Sequence, residues 1–302
     1  MRPRAVGRLA LAGLAVLLVA ACTDDEEARL PGERASIRPE AAPDVASAAP
    51  RAIPAARDVA EWSHADGDAA RAGGHLAAPS SLTLAWRADA GAGSGDRGIA
   101  ARPVVSDGLV YVRDGRASVL AFDAGSGAER WEFDLAPERE EDEDGHGGGL
   151  ALADGRLFVT SGFGEVVALN AATGEEIWRF RADGPFRAPP AVLEGVVTAV
   201  TRSNEAVGLS AETGERLWRS DSAMTRSGAL PGAGPAMARG VTIAPFGSGE
   251  LQLIRTARGL RLWTGVLISP AGSEGLAAFP DVTSAPVVAR ASNGAPIVAA
   301  GN

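Results

Sequence analysis

Short runs of alternating apolar and polar residues, separated by glycine-containing turns, fill most of the chain after residue 100. Runs of four to seven residues bounded by turn-forming residues are typical of antiparallel strands. Glycine suits such turns because it adopts positive φ without steric cost. The pattern therefore predicts an all-β fold built from four-stranded units. In the first clear unit the four predicted strands cover residues 103–105, 109–113, 117–123 and 129–134.

The strand pattern repeats at a constant interval. Four glycine–tryptophan pairs each span 23 residues, and a second glycine lies four residues before each of these tryptophans. Trp86 adds a fifth marker, 45 residues before Trp131. Repeats of this length with four short strands predict the blades of a β-propeller. The pairs are Gly108 and Trp131, Gly155 and Trp178, Gly195 and Trp218, and Gly240 and Trp263, and the second glycines are Gly127, Gly174, Gly214 and Gly259.

A recurrent phrase precedes the tryptophan in the first three units. It consists of a small residue, a large apolar residue and a polar turn former, followed by the second glycine. We expect the polar side chain, Asp123 in the first unit, to accept backbone N–H bonds within the turn. The tryptophans have two interpretations, either ligand-stacking platforms or packing residues between blades. Packing is preferred, because the ring occupies the same phase in every unit and aromatic side chains dominate core energetics.

The N terminus has the pattern of an export signal. Three arginines within the first eight residues precede an apolar run over 9–19, which is too short to span a bilayer. Small residues then lead to Cys22, the only cysteine. This order predicts a lipoprotein signal over 1–21 and lipid attached to Cys22. An ordinary secretory signal with an incidental cysteine is the alternative.

The composition changes after the signal. Residues 22–57 are rich in alanine, proline and charge and lack periodicity, which predicts a disordered tether. Residues 58–302 contain the repeats and form the predicted propeller. Several acyl chains on one cysteine would hold the propeller at a membrane surface.

Charge and residue inventory exclude several functions. The net charge is −9 and every basic side chain is an arginine, which argues against a nucleic-acid or anionic-lipid partner. The three histidines are not at metal-ligand spacing, and no catalytic triad or phosphate-binding loop is present. We therefore predict no catalytic, cofactor-binding or metal-binding residues. The acidic run over 138–144 could hold a divalent cation or a basic partner, although a solvated loop is the preferred interpretation.

With these phrases the chain resembles the pyrroloquinoline-quinone (PQQ)-type β-propeller repeat family. One branch contains quinoprotein dehydrogenases, which need calcium ligands, a catalytic aspartate and usually a vicinal cysteine pair. The other contains the non-catalytic outer-membrane protein assembly factor BamB. The single, lipobox-like cysteine matches the second branch. Further segments that resemble this branch are 62–76, 181–190, 246–251 and 281–288.

This resemblance implies a scaffold lipoprotein of outer-membrane β-barrel assembly, anchored at the periplasmic face of the outer membrane. Thr23, which follows Cys22, resembles the sorting pattern of outer-membrane lipoproteins. The implied partners are the barrel-insertion protein BamA, other components of the machinery and nascent outer-membrane proteins. The alternatives are a quinone-dependent dehydrogenase and a generic ligand-sensing periplasmic propeller.

The resemblance also implies which residues bind BamA. One contact loop in the branch is acidic, and Asp281 matches it, whereas Thr283 replaces its second acid. The neighbouring contact loop carries apolar residues and an arginine. Met224, Arg226 and Leu230 are the candidates for that loop.

Members of this branch have eight-bladed rings, closed by an N-terminal strand that pairs with the last blade. A strand over 82–86 is expected to take that role. After Trp263 the chain begins another unit at 285–288 and stops in its middle. About four to five of eight blades are therefore expected, in an open arc with exposed strand edges. We also expect the reading frame to be a truncated or interrupted form of a longer one.

Overall fold

The computed structural model describes residues 53–93, 101–137, 146–225, 232–267, 281–290 and 296–300. Within these ranges every regular element is a β-strand. Accordingly, the described part contains no helix of the length and apolarity needed to cross a membrane. The predicted signal, Cys22, most of the predicted tether and the acidic run over 138–144 lie outside the described residues.

The strands form four antiparallel four-stranded sheets and one two-stranded sheet, each built from consecutive strands. This confirms the predicted all-β, propeller-type fold, and the sheets do not close into a ring in the described part of the chain. The first two blades contain β1 (Val104–Ser106), β2 (Leu109–Arg113), β3 (Ser118–Asp123), β4 (Glu129–Asp134), β5 (Gly148–Ala153), β6 (Arg156–Ser161), β7 (Glu165–Asn170) and β8 (Glu176–Arg181). The remaining sheets contain β9 (Ala191–Leu193), β10 (Val196–Val200), β11 (Glu205–Ser210), β12 (Arg216–Asp221), β13 (Ala236–Ala238), β14 (Val241–Pro245), β15 (Glu250–Arg255), β16 (Leu260–Val266), β17 (Val287–Arg290) and β18 (Pro296–Ala299).

The first hairpin of each complete blade turns through two consecutive residues with positive φ. In blade 1 φ is 50° at Asp107 and 75° at Gly108. Two positive φ angles define a type I′ turn, whose twist matches that of the flanking strands. The equivalent pairs are Asp154 and Gly155, Glu194 and Gly195, and Arg239 and Gly240.

The blades stack side by side through their first strands. Contacts join β1 to β5, β5 to β9, β9 to β13 and β13 to β17. Apolar side chains of adjacent blades form shared buried clusters, the largest of which lies between blades 1 and 2. The core of this fold is therefore a series of interfaces between sheets.

One segment before the first blade, residues 62–71, crosses the first strands of all five sheets, and we call it the crossing segment. Trp62 pairs with Val105 of β1 through N···O distances of 2.7 and 2.9 Å. Its later residues bond in turn to β5, β9, β13 and β17. Main-chain and imidazole bonds of one short segment thus fasten every blade of the arc. These bonds join Leu152 N to Ser63 O, Val192 N to His64 Nε2, Met237 N to Ala69 O, and Val288 N to Ala70 O.

The strand predicted over 82–86 does not form, because residues 82–90 have no regular structure. A strand needs a paired edge, and among the described residues no strand pairs with this segment. Leu82 and Leu84 are instead exposed. Trp86 is half-buried and packs on the third-to-fourth strand turn of blade 1.

Candidate functional site

Each tryptophan from blades 1 to 3 packs on the second glycine of the next blade. The ring of Trp131 lies over Gly174, where an added Cβ would be 2.7 Å from the ring. Its indole Nε1 donates to Ala171 O at 3.0 Å, and only 9% of the residue is exposed. The same arrangement joins Trp178 to Gly214 and Ala211, Trp218 to Gly259 and Thr256, and Trp86 to Gly127 and Ala124.

The buried rings of blades 1 to 3 therefore pack between sheets and do not offer a face to a ligand. Trp263 differs, because 54% of it is exposed. Its ring lies over Gly265 of its own blade, where an added Cβ would be 2.0 Å from the indole. Among the described tryptophans, Trp263 is thus the most exposed.

The polar residue of each turn phrase accepts backbone N–H bonds, as predicted. Asp123 Oδ1 accepts from the amides of Gly125 at 3.1 Å and Ser126 at 2.9 Å. Hydrogen bonds from Arg130 and Ser126 lower the pKa of Asp123 below its ordinary value. Asn170 and Ser210 make equivalent bonds in the next two blades. These side chains shape the turns on which the tryptophans pack.

A cavity of about 390 Å³ lies between the crossing segment and the residues that lead into the inner strands. Arg71 is buried, and its backbone has a φ of 56°. Its guanidinium donates to Asp66 Oδ2 at 2.9 Å and to Pro235 O at 2.9 Å. Burial lowers the pKa of Arg71. Its Nη2 has no hydrogen-bond partner and lies against Gly234. Arg102, on the exposed rim, also bonds Asp66. This cluster fastens the crossing segment to blade 4.

His64 is buried in the middle of the crossing segment. Its Nε2 accepts from Val192 N at 3.0 Å, so the neutral ring carries its proton on Nδ1, which lies 2.9 Å from Ser63 Oγ. Burial and, secondarily, the charge of Arg71 lower the pKa of His64 to about 4. With both ring nitrogens engaged inside the protein, His64 acts as a structural link between blades.

Asp281 is buried, with 2% exposed, and forms an ion pair with Arg187 through both of its carboxylate oxygens. The family resemblance placed this carboxylate on a contact loop, whereas the structure turns it inward. A direct contact between Asp281 and a partner would therefore require this ion pair to open. Sequence reasoning missed Arg187, because it lies 94 residues from Asp281 and no local pattern marks the pair.

The predicted contact loops nevertheless lie next to each other. A Cβ added at Gly247 would contact Arg187 Nη2 at 3.0 Å, Asn204 Oδ1 at 3.1 Å and Thr225 Oγ1 at 3.3 Å. Asn204 also donates to Ala223 O at 2.6 Å, which holds the loop containing Met224. Met224 itself is 84% exposed. Arg226 and Leu230, the other predicted contact residues, lie outside the described ranges.

No group of three or more His, Cys, Asp or Glu side chains in the described ranges is arranged to hold a metal ion. The main features of the described surface are thus the Met224 loop, the polar cavity at Arg71 and the free face of Trp263.

Comparison with protein families gives a match over residues 74–142 and 115–302 to the family model described as "Outer membrane protein assembly factor BamB". No curated protein sequence matches the chain.

Solved structures with the same fold include both functional branches. BamB from Moraxella catarrhalis is 18% identical with a TM-score of 0.55, covering 63% of this chain and 56% of that one. Quinohemoprotein alcohol dehydrogenase ADHIIG from Pseudomonas putida HK5 is 18% identical with a TM-score of 0.61, covering 83% and 47%. A europium-containing methanol dehydrogenase is 15% identical with a TM-score of 0.62, covering 80% and 54%. The chain spans about half the length of these structures, and the likeness shows a shared fold.

Proposed function

Because this chain belongs to the family of outer membrane protein assembly factor BamB, we propose that it is a non-catalytic scaffold in outer-membrane β-barrel assembly. The family match over residues 115–302, which includes most of the blades, carries the proposal. Under this proposal lipid on Cys22 anchors the protein at the periplasmic face of the outer membrane. The blades then present loops to BamA, to other assembly components and to nascent outer-membrane proteins.

The Met224 loop is the part of the described surface that best fits contact with BamA. An exposed, unbranched thioether adapts to irregular apolar partner surfaces. Asn204 holds the backbone of this loop, and Arg187, which pairs with Asp281, also lies against Gly247. We therefore assign Asp281 a positioning role beneath the loop, and Met224, Arg226 and Leu230 the direct contacts.

Co-purification with BamA under mild solubilisation tests this assignment. Met224→Glu places a charge on the contact surface and is expected to reduce the BamA recovered about tenfold or more, as loss of an interface anchor does. Leu84→Glu is the matched control, because Leu84 is 77% exposed in the segment before blade 1. Recovery that is equal for the two variants would reject the Met224 surface, and absence of BamA from the unmodified protein would reject the scaffold role.

Membrane attachment is tested separately. Cys22→Ala removes the sulfur that would carry lipid, so the protein is expected to move from the outer-membrane fraction to the soluble periplasmic fraction. An unchanged distribution would reject lipid anchoring through Cys22, while leaving the BamA contact to the co-purification experiment.

A quinone-dependent dehydrogenase is the second candidate, since two dehydrogenases share the fold over 80% or more of this chain. Titration of the purified protein with PQQ and calcium, followed by dye reduction with alcohol substrates, distinguishes the two functions. The scaffold proposal expects neither saturable quinone binding nor dye reduction. Tight binding with turnover would overturn it.

A further inference from the structure

The interface between blades 3 and 4 differs in chemistry from the two interfaces that precede it. Its two diagnostic positions lie two residues after the tryptophan of one blade and eleven residues before the tryptophan of the next. Both positions are apolar at the first two interfaces, where their side chains pack with the buried clusters between the blades. Both are polar at the third. The pairs are Phe133 and Val167, then Phe180 and Val207, then Ser220 and Gln252.

Ser220 and Gln252 belong to a hydrogen-bond network that joins the two blades. Ser220 Oγ, on β12, donates to Oε1 of the fully buried Gln252, on β15, at 2.7 Å. Gln252 Nε2 donates to Glu250 Oε1 at 2.7 Å and to a main-chain oxygen of β12 at 3.0 Å. Ser222 Oγ donates to Glu250 Oε2 at 2.7 Å and lies 2.7 Å from Ser248 Oγ. We call these five side chains the polar latch.

The positions of Ser222 and Ser248 show the same change in chemistry. Leu135 and Phe163 occupy the equivalent places between blades 1 and 2, and both belong to the buried apolar cluster there. Between blades 2 and 3 Ala182, the equivalent of Ser222, packs against the apolar cluster. Each interface has a loop end, where the chain passes from one blade to the next. Of these three interfaces, the one between blades 3 and 4 has a loop end held chiefly by hydrogen bonds.

The opposite end of the same interface, which we call the tryptophan end, is packed as in the other blades. Trp218 lies on Gly259, is 7% exposed and donates its indole N–H to Thr256 O at 2.6 Å. The crossing segment also holds the inner strand of blade 4, since Ala69 O accepts from Met237 N at 2.7 Å. Blade 4 is thus fixed to blade 3 at its inner strand and at its tryptophan end.

The two kinds of contact respond differently when neighbouring blades separate. A phenylalanine and a valine that lose their contact become exposed to water, at a free-energy cost proportional to the apolar area uncovered. The groups of the polar latch instead exchange hydrogen bonds with one another for hydrogen bonds with water, so the net loss is small. Local opening occurs where few apolar contacts hold a structure together. The loop end between blades 3 and 4 therefore opens more readily than the loop ends of the other two interfaces.

We propose that the polar latch makes the interface between blades 3 and 4 a hinge, which opens at the loop end while Trp218 keeps the tryptophan end closed. Opening moves the Met224 loop relative to blade 4, since Ser222 of the latch lies two residues before Met224. Asn204 Oδ1, which accepts from Gly247 N at 2.9 Å, crosses the interface at the same end and is another bond that water can replace. The hinge is independent of the proposed contact with BamA and goes beyond it.

Pairs of nitroxide labels measure this motion by double electron–electron resonance on the full chain with Cys22→Ala, which removes the only natural cysteine. The label sites are exposed residues three positions after each tryptophan. Asp221→Cys with Val266→Cys spans the hinge, and Arg181→Cys with Asp221→Cys is the matched pair across blades 2 and 3. We expect the distance distribution across the hinge to be about twofold broader or more.

A second label pair tests the pivot. Leu217→Cys with Leu262→Cys lies on the same two outer strands, at residues that immediately precede the tryptophans and are 48% and 41% exposed. We expect a distribution as narrow as that of the matched pair, because this pair is at the tryptophan end. Equal broadening at both ends would mean that blade 4 moves as a whole and would overturn the hinge.

Exchange of the side-chain pairs tests the cause. Ser220→Phe with Gln252→Val installs the apolar pair found between blades 2 and 3 and should narrow the distribution across the hinge to that of the matched pair. Phe180→Ser with Val207→Gln makes the opposite change and should broaden the matched pair.

Equal widths for the two loop-end pairs in the protein with an intact latch would overturn the proposal. An unchanged width in the Ser220→Phe and Gln252→Val protein, with the circular dichroism of the unmodified protein, would overturn it as well. If that double variant does not fold, the comparison with an intact latch still decides, because it changes only exposed residues.

Discussion

Two glycines with the same backbone conformation offer a direct measure of what tryptophan packing contributes to stability. Gly214 has φ of 74° and Gly195 has φ of 75°. A Cβ at Gly214 would lie 2.7 Å from the ring of Trp178, whereas a Cβ at Gly195 would have no atom within 4 Å. Substitution by alanine therefore imposes the same backbone strain at both sites, and a collision at Gly214 alone.

The expected costs follow from these contacts. Alanine in the left-handed region costs about 1–2 kcal/mol, which is the whole effect expected for Gly195→Ala. Gly214→Ala also displaces the ring of Trp178 and breaks its 3.1 Å hydrogen bond to Ala211 O. The lost bond contributes about 1 kcal/mol, and the loss of part of the ring packing brings the total to about 3–5 kcal/mol. The two variants should thus differ by about 2–3 kcal/mol.

Urea unfolding followed by tryptophan fluorescence and near-ultraviolet circular dichroism measures this difference. The corresponding melting temperatures should differ by roughly 4–12 °C in a domain of this size. Near-ultraviolet dichroism should also weaken in Gly214→Ala at low urea, because the Trp178 ring loses its packed orientation. If the two variants unfold within about 0.5 kcal/mol of each other, the ring tolerates the added methyl group and the packing argument is wrong.

Three further predictions concern single side chains. Trp218→Ala should reduce the free energy of unfolding by about 3–5 kcal/mol, because Trp218 is only 7% exposed. Trp263→Ala should reduce it by less than about 1 kcal/mol, because Trp263 is 54% exposed. If urea unfolding gives similar losses for the two variants, Trp263 is buried and the argument is wrong. Asp281→Asn removes the charge opposite the buried Arg187 and should destabilise by about 3–5 kcal/mol, and a loss below about 1 kcal/mol would contradict a buried ion pair. Burial lowers the pKa of His64 in the folded protein to about 4, against 6.5 for an unperturbed imidazole. The unfolded state therefore takes up the proton first as the pH falls, and stability should decrease by about 3 kcal/mol from pH 6.5 to pH 4. Urea midpoints over this pH range should show a slope that is reduced in His64→Gln, and equal slopes would reject the contribution of His64.

Local turn chemistry made much of the fold predictable. The strands predicted over 109–113 and 129–134 coincide with β2 and β4, and the others of blade 1 shift by only one residue. The Asp107 and Gly108 turn has the expected positive φ at both residues. These features depend on residues that are neighbours in the chain, so their physical cause is visible in the sequence.

Long-range contacts decide the features that the sequence does not show. The segment over 82–86 has strand-like residues but lacks a paired edge, and Trp86 packs on Gly127 instead. The resemblance assigns Asp281 to a contact loop, and the ion pair that buries its carboxylate involves Arg187, which is 94 residues away. In the sequence the crossing segment shows only a resemblance to the family. Its bonds to the first strands of all five sheets depend on how the blades stack, which no spacing in the sequence reports.

The sequence by itself determined the repeated blade, the position of its turns and the phase of its tryptophans. Each of these follows from backbone preferences and alternation within about 30 residues, the scale on which one supersecondary unit forms. Only the tertiary structure decided which tryptophans are covered. Trp131 and Trp263 occupy the same phase of their repeats, but the first packs on Gly174 of the next blade and is 9% exposed, whereas the second is 54% exposed. Burial depends on the neighbouring blade, and therefore the stacking of sheets, rather than the repeat itself, separates a buried tryptophan from an exposed one.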